Sequence, residues 1–164
     1  EHTYDDVILG EDGNKQFVHH VGYVSLFPLA LGLIPKESEK LLQTIQLIKD
    51  PNHLWSNFGI RSLSKQDAYF GQGENYWRGP IWLNMNYLVL SSLYNNYIRE
   101  GPYASQALEL YTGLRNNLVT NMFEEYRSTG YVWEQYDSHN GEGQRSHPFT
   151  GWSALIVSII TEQY

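Results

Sequence analysis

One carboxylate, Glu134, is set among large aromatic residues in the stretch 130–143: Trp133 adjoins it, Tyr136 lies two positions on and Tyr131 three positions before. A carboxylate in such company is partly desolvated. Desolvation raises its pKa and leaves fewer waters to shed before it takes a proton, which suits a general base acting on water. The same spacing fits a strand glutamate bonded to neighbouring backbone or paired with an arginine, because structural ion pairs perturb carboxylates too. On residue types alone both readings stay open. The run Ser138-His139-Asn140-Gly141-Glu142-Gly143 that follows is a turn or loop.

A second stretch, residues 51–79, carries Trp55, Phe58, Tyr69, Phe70, Tyr76 and Trp77 with Gly59, Gly71, Gly73 and Gly79, and shows no helical period. Ordered loops of this length tend to be functional. Its polar residues include Arg61, Ser62, Asp67, Glu74, Asn75 and Arg78. The Arg78 guanidinium offers a fixed fork of donors suited to a carboxylate or to adjacent hydroxyls. The pair His19-His20 invites a metal reading, but adjacent helical residues point apart and no ligand follows at the right spacing, so no metal site and no cofactor are expected.

The 164 residues suit one domain with a real core. A net charge of -7, without clustered Lys or Arg, excludes a nucleic-acid backbone as partner. With no cysteine there is neither a disulfide framework nor thiolate chemistry. No apolar run is long enough to span a bilayer, so no membrane contact is expected of this segment. The chain starts at Glu1 rather than Met and reads as part of a longer protein, with any anchor or targeting signal upstream. The 13 Tyr, 5 Trp and 6 Phe exceed what such a core requires. Tyr and Trp join a flat apolar face to a polar handle, which suits sugars, although an aromatic-rich core has the same composition.

The elements that must position these residues are mostly helical. Residues 1–17 read as a loop or short hairpin turning at Glu11-Asp12-Gly13-Asn14. Apolar density predicts a buried helix over residues 19–33, kinked at Pro28, and a second over 35–50, the two forming an αα-hairpin. Pro80 is predicted to open a third helix that stops at Gly101-Pro102. A fourth runs over 103–125 with Ala107, Leu108, Leu114, Leu118 and Met122 in register, making a second αα-hairpin. The alternation of Tyr131 and Trp133 predicts a short β-hairpin around Glu134, and a last helix covers 151–162. Helical pairs separated by long aromatic loops, without a repeat of fixed length, favour a ring whose loops meet over a pocket.

The run Gly73-Glu74-Asn75-Tyr76-Trp77-Arg78-Gly79-Pro80-Ile81-Trp82, together with Trp133-Glu134-Gln135-Tyr136, resembles the C-terminal part of the glycoside hydrolase family 63 catalytic domain. The likeness extends from His20-Val21-Gly22-Tyr23-Val24-Ser25-Leu26-Phe27-Pro28 to Pro148-Phe149-Thr150-Gly151-Trp152. The resemblance implies an all-α fold, αα-hairpins forming part of an (α/α)6 toroid, with short β-hairpin and loop insertions at the active-site end. Residues 1–164 would be the C-terminal portion of that single domain. It implies inverting removal of the terminal α-1,2-linked glucose from the N-glycan precursor oligosaccharide, in the endoplasmic reticulum lumen.

Carried over residue by residue, Glu134 matches the general base. Tyr76, Trp77, Arg78, Gly79, Pro80 and Trp82 match the motif that walls the sugar subsite, with Trp133, Phe149 and Trp152 placed near it. The family's general acid is an aspartate in a context that Asp5-Asp6 lacks. An inverting glycosidase needs two carboxyl groups about 6.5–9.5 Å apart, so the acid is expected upstream, in a part of the same domain that would be this chain's partner. Without it the chain is expected to be inactive and to aggregate or associate. Asp137 and Glu74 are secondary carboxylate candidates that could bind sugar hydroxyls or pair with Arg78. Two alternatives are a related toroidal glycosidase, trehalase-like or bacterial family 63, and a non-catalytic carbohydrate-binding helical module.

Overall fold

The computed structural model describes residues 4–162; Glu1, His2 and Thr3 of the predicted first loop lie outside the described residues, as do Gln163 and Tyr164. An N-terminal hairpin pairs β1 (Asp6–Leu9) with β2 (Lys15–Val18) around the predicted turn. A 3-10 turn (Val24–Leu26) runs into the short α1 (Phe27–Ala30), and α2 follows at Glu39–Lys49. A two-residue ladder, β3 (Trp55–Ser56) with β4 (Gly59–Ile60), interrupts the long loop. Then come α3 (Leu83–Ser92), a π turn (Leu93–Tyr97) and α4 (Ala104–Thr129). The chain closes with the hairpin β5 (Gln135–Tyr136) and β6 (Gly143–Gln144), a 3-10 turn (Trp152–Ala154) and α5 (Leu155–Thr161).

The helices that formed as predicted have both a buried stripe and a stop. In α2, Leu41, Thr44, Ile45 and Ile48 face inward at three- and four-residue steps. Ser38 caps its first turn by accepting from the Lys40 amide at 3.3 Å. In α4, Ala107, Leu110, Leu114, Leu118 and Met122 make the stripe. Gly130 ends α4 in the left-handed conformation at φ 78°, its amide bonding the Tyr126 carbonyl at 2.8 Å, so the helix runs one turn past its predicted end. Helix α4 packs on α2, α3, the π turn and α5, and the core between them holds Leu26, Leu29, Leu54, Leu83, Leu90 and Leu93.

The predicted helix over 19–33 shrinks to the 3-10 turn and α1, Val24–Leu26 and Phe27–Ala30. The Tyr23 amide bonds the Ser62 carbonyl and the Ser64 amide the Val21 carbonyl, tying Gly22 to Leu63 as an extended bridge, and Gly32 turns the chain at φ 67°. Val24, Phe27, Leu31 and Leu33 are exposed, so apolar density there was not a helical stripe. The first predicted αα-hairpin is therefore absent, and α1 packs on α3 instead. Pro80 does not open α3 either. Ile81 is extended and bridges Arg61 on one side and Tyr136 on the other, with Trp82 at the N-cap. The second αα-hairpin, α3 with α4, is present.

That extended Ile81 positions the site. Its amide bonds the Tyr136 carbonyl at 2.8 Å and its carbonyl accepts from the Tyr136 amide at 3.0 Å, while the Ser62 amide donates to the Pro80 carbonyl at 3.2 Å. The segment leading into α3 is thus locked between the β4 side of the loop and the β5–β6 hairpin.

Candidate active site

Buried side chains knot this junction from below. The Asn86 carboxamide accepts from the Ile60 amide at 2.8 Å and donates to the Tyr23 hydroxyl at 3.1 Å and to the Trp82 carbonyl at 2.8 Å. The Tyr23 hydroxyl donates to the Ile60 carbonyl at 2.7 Å and accepts from the Trp82 amide at 3.0 Å. Burial pushes the Tyr23 phenol well above its usual range, so it stays protonated as a donor.

Above the knot lies a run of rings. Trp77 stacks on Trp82 with centroids 3.8 Å apart and planes 10° from parallel. Tyr76 meets the Trp82 ring edge-on at 4.6 Å, Trp152 lies 5.3 Å beyond Trp82, and Phe149 packs on Trp152 at 4.8 Å. Trp82 is fully buried, whereas Trp77 is 49% exposed. The Trp82 indole donates to the Tyr76 carbonyl at 3.1 Å, fixing the backbone of that tyrosine.

Glu134 lies where the two loops meet. It is only 9% exposed, and the Tyr76 hydroxyl donates to its Oε1. The Ser146 amide approaches Oε2 at 3.3 Å, and the Glu134 amide bonds the Ser146 carbonyl at 3.0 Å. Its main-chain carbonyl accepts from the Trp152 indole at 2.7 Å, and the Ser153 hydroxyl grips the preceding Trp133 carbonyl at 2.6 Å. Side chain and backbone are both fixed. The strand begins at Gln135, so the residues whose alternation predicted it, Tyr131 and Trp133, precede the ladder.

The expected upward shift of the Glu134 carboxyl is reversed. The Tyr76 hydroxyl holds it below the usual carboxylate range, against an opposing effect of burial, helped by the Ser146 amide and the nearby Arg145 charge. The same bond pushes the Tyr76 phenol up. Glu134 is therefore an ionised acceptor at neutral pH, kept as a carboxylate by donated hydrogen bonds rather than pushed toward protonation by desolvation.

The other candidates divide. Tyr76, Trp77, Trp82, Trp152 and Phe149 make one continuous cluster of packed rings, joined to Glu134 through the Tyr76 hydroxyl. The Trp133 ring turns instead to His147 at 3.8 Å and to Tyr131 at 6.5 Å. Gly79 and Pro80 are buried as backbone, and the Gly79 amide donates to Ser62 Oγ at 2.9 Å. At φ 134° Gly79 permits the Phe70 ring to approach so closely that a Cβ would meet it at 2.7 Å.

The Arg78 guanidinium lies over Tyr69 at 5.2 Å and donates to the Gln72 carbonyl at 2.9 Å. Glu74 pairs with Arg145 rather than Arg78. Asp137 is used up in its turn, Oδ1 accepting from the His139 amide at 2.6 Å and Oδ2 from the Gln144 amide group at 2.9 Å. Arg61 is turned inward onto the Pro51 and Trp55 carbonyls.

Histidines 19 and 20 lie outside any helix and point to different carboxylates, Asp5 at 3.1 Å and Asp67 at 2.7 Å. Among the described residues no group of three His, Asp or Glu converges as a metal-ligand set. Sequence reading missed Arg145, Ser146 and Ser153. Arg145 was the detectable one, the only arginine or lysine in the return arm that faces Glu134.

The chain matches the model of the glycosyl hydrolase family 63 C-terminal domain over residues 4–162. It belongs to glycosyl hydrolase family 63. Over 163 residues it is 54% identical to the probable mannosyl-oligosaccharide glucosidase of Schizosaccharomyces pombe, covering 99% of this chain and 20% of that protein. Mannosyl-oligosaccharide glucosidase GCS1 of Arabidopsis thaliana is 45% identical over 154 residues, covering 91% of this chain and 18% of that protein. The chain thus spans about a fifth of the length of these curated relatives. In fold it is similar to the crystal structure of a family 63 mannosylglycerate hydrolase from Thermus thermophilus in complex with glucose. That match has a TM-score of 0.62 at 20% identity and covers 92% of this chain and 33% of the other.

Proposed function

We propose that this chain is the base-bearing C-terminal portion of a single (α/α)6 catalytic domain, and that the whole enzyme is an inverting exo-α-glucosidase. Its substrate is the terminal α-1,2-linked glucose of the N-glycan precursor, and its compartment the endoplasmic reticulum lumen; two curated relatives named mannosyl-oligosaccharide glucosidase support the oligosaccharide and the glucosidase activity. No described helix is long and apolar enough to cross a membrane.

One observation carries the reading: a nearly buried carboxylate, kept ionised by Tyr76 and Ser146, is joined through Tyr76 to a cluster of aromatic rings in which Trp77 is half exposed. Sugar rings present apolar C–H faces that pack on Trp77, while Glu134 takes a proton from water attacking the anomeric carbon. The Tyr76 proton occupies one lone pair of Oε1, leaving the remaining lone pairs to receive the water proton. The water oxygen bonds the anomeric carbon as the glycosidic C–O bond breaks, and a general acid protonates the departing oxygen. As the family resemblance implies, that acid lies in the upstream part of the domain; Glu74, paired to Arg145, and Asp137, bonded within its turn, are the weaker candidates.

A related toroidal glycosidase with a smaller substrate is the second reading, favoured by the fold likeness to the mannosylglycerate hydrolase. The test is the anomer first released by the whole enzyme from a glucosylated oligosaccharide, followed by proton NMR. β-Glucose supports inversion with Glu134 as base. α-Glucose requires retention and removes this mechanism, and turnover only of a short glycoside favours the second reading.

A further inference from the structure

Arg145 is the one non-glycine residue, among those described, held in the left-handed region, at φ 69°. That turn directs its side chain across to the loop before α3. The guanidinium carbon lies 5.3 Å from the Tyr76 ring centroid, and Nη2 bonds the Glu74 carboxylate and, at 3.2 Å, Asn75 Oδ1. With the Gln135 amide oriented to match its neighbours, its oxygen accepts from Arg145 Nε at 3.3 Å and its nitrogen donates to the Tyr76 carbonyl at 3.2 Å. One side chain therefore holds residues 74–76, while the Trp82 ring closes on Tyr76 at 4.6 Å.

Both donors to the Glu134 carboxylate depend on this residue: Tyr76 lies under the guanidinium, and the Ser146 amide is the next peptide along. We infer that Arg145 is a positioning residue of the hydrolytic site, clamping the Tyr76 hydroxyl onto the Glu134 carboxylate. The inference rests on the reading of Glu134 as the base. The charged or titratable groups facing Glu134 are Tyr76, with Glu74 behind it, from the loop and Arg145 from the return arm. From the 3-10 turn before α5, Trp152 and Ser153 bind only main-chain carbonyls and carry no charge. Tyr136 is pushed up to about 12 by burial and its oxygen accepts the Trp133 amide, and His147 packs at a tilt against Trp133.

The Arg145–Glu74 pair is exposed, 36% and 71% by side chain, and such pairs contribute little to stability. The clamp is thus distinguishable from a structural role. In the whole enzyme, Arg145→Met leaves the backbone requirement unchanged but removes the fork. It is expected to lower kcat about tenfold or more with KM within about threefold, and to leave the unfolding midpoint nearly unmoved. The acidic limb of the pH–kcat profile moves to higher pH, because the carboxylate loses a donor that favours its ionised form. Tyr76→Phe gives the same displacement, and Arg145→Met adds less than about twofold to it in the double variant. Arg145→Lys recovers only part, since a lysine keeps the charge without the planar fork.

Unchanged kcat in Arg145→Met, an unmoved acidic limb, or losses that multiply fully in the double variant would each overturn the clamp. Glu134→Gln measured alongside separates the two claims. If it stays active, the base reading fails and the clamp with it; if it is inactive while Arg145→Met is normal, the clamp alone fails.

Discussion

Asn86→Ala is the sharpest structural test, because one fully buried carboxamide joins α3 to Ile60 in the preceding loop and to the Tyr23 hydroxyl. Removing it has unequal effects on its partners. The Ile60 carbonyl keeps the Tyr23 hydroxyl, the Trp82 carbonyl keeps the Asn86 amide at 3.2 Å, and the Tyr23 oxygen keeps the Trp82 amide. The Ile60 amide, on a residue with no exposed surface, loses Asn86 Oδ1. An orphaned buried donor costs about 1–3 kcal/mol, and the space left by the carboxamide adds about 1 kcal/mol. The variant should therefore lose about 2–4 kcal/mol in urea unfolding followed by tryptophan fluorescence. Asn95→Ala, at an exposed site bonded only within its own turn, should stay within about 0.5 kcal/mol. A loss below about 1 kcal/mol at Asn86 would refute the claim that this carboxamide holds the Ile60 amide.

Gly79→Ala should lower turnover and raise KM together, because φ 134° and the Phe70 ring at 2.7 Å both force the loop carrying Tyr76 and Trp77 to shift; steady-state kinetics on the whole enzyme checks it. Trp152→Phe keeps the ring packed on Phe149 but loses the indole donor to the Glu134 carbonyl, so kcat should fall about tenfold with little change in KM. The Glu134 carboxyl is depressed in the folded state, so the stability it contributes is present above its unfolded pKa and lost as pH falls through the folded value. Urea midpoints should accordingly fall more steeply on acidification in the parent than in Glu134→Gln, and identical pH dependence would contradict the assigned shift.

Helices α2 and α4 were legible through their periodic apolar residues, whereas the caps that set their limits, Ser38 at one start and Gly130 at the other end, lie several residues from the predicted bounds of 35 and 125. Residues 19–33 misled because apolar content was read without periodicity. Their conformation is set by backbone pairing to residues 62–64, which no local pattern encodes. Glu134 stood out through its neighbours, but the direction of its shift did not, since it depends on a tyrosine 58 positions away. Arg145 and Glu74 are 71 positions apart, so Arg78, nearer in sequence, was the natural but mistaken partner. Asp137, expected to bind sugar hydroxyls or pair with Arg78, instead accepts hydrogen bonds within its own hairpin at both oxygens.

The central claim is that the Glu134 carboxylate takes a proton during hydrolysis rather than only holding sugar. Its most direct test compares turnover and oligosaccharide affinity in the whole enzyme with those of Glu134→Gln, which keeps the shape and removes the base. Turnover should fall about 10²–10⁴-fold while the oligosaccharide still binds within about tenfold of the parent affinity. Retained turnover, or a loss fully matched by weaker binding, would make the aromatic wall a binding surface and Glu134 a structural residue.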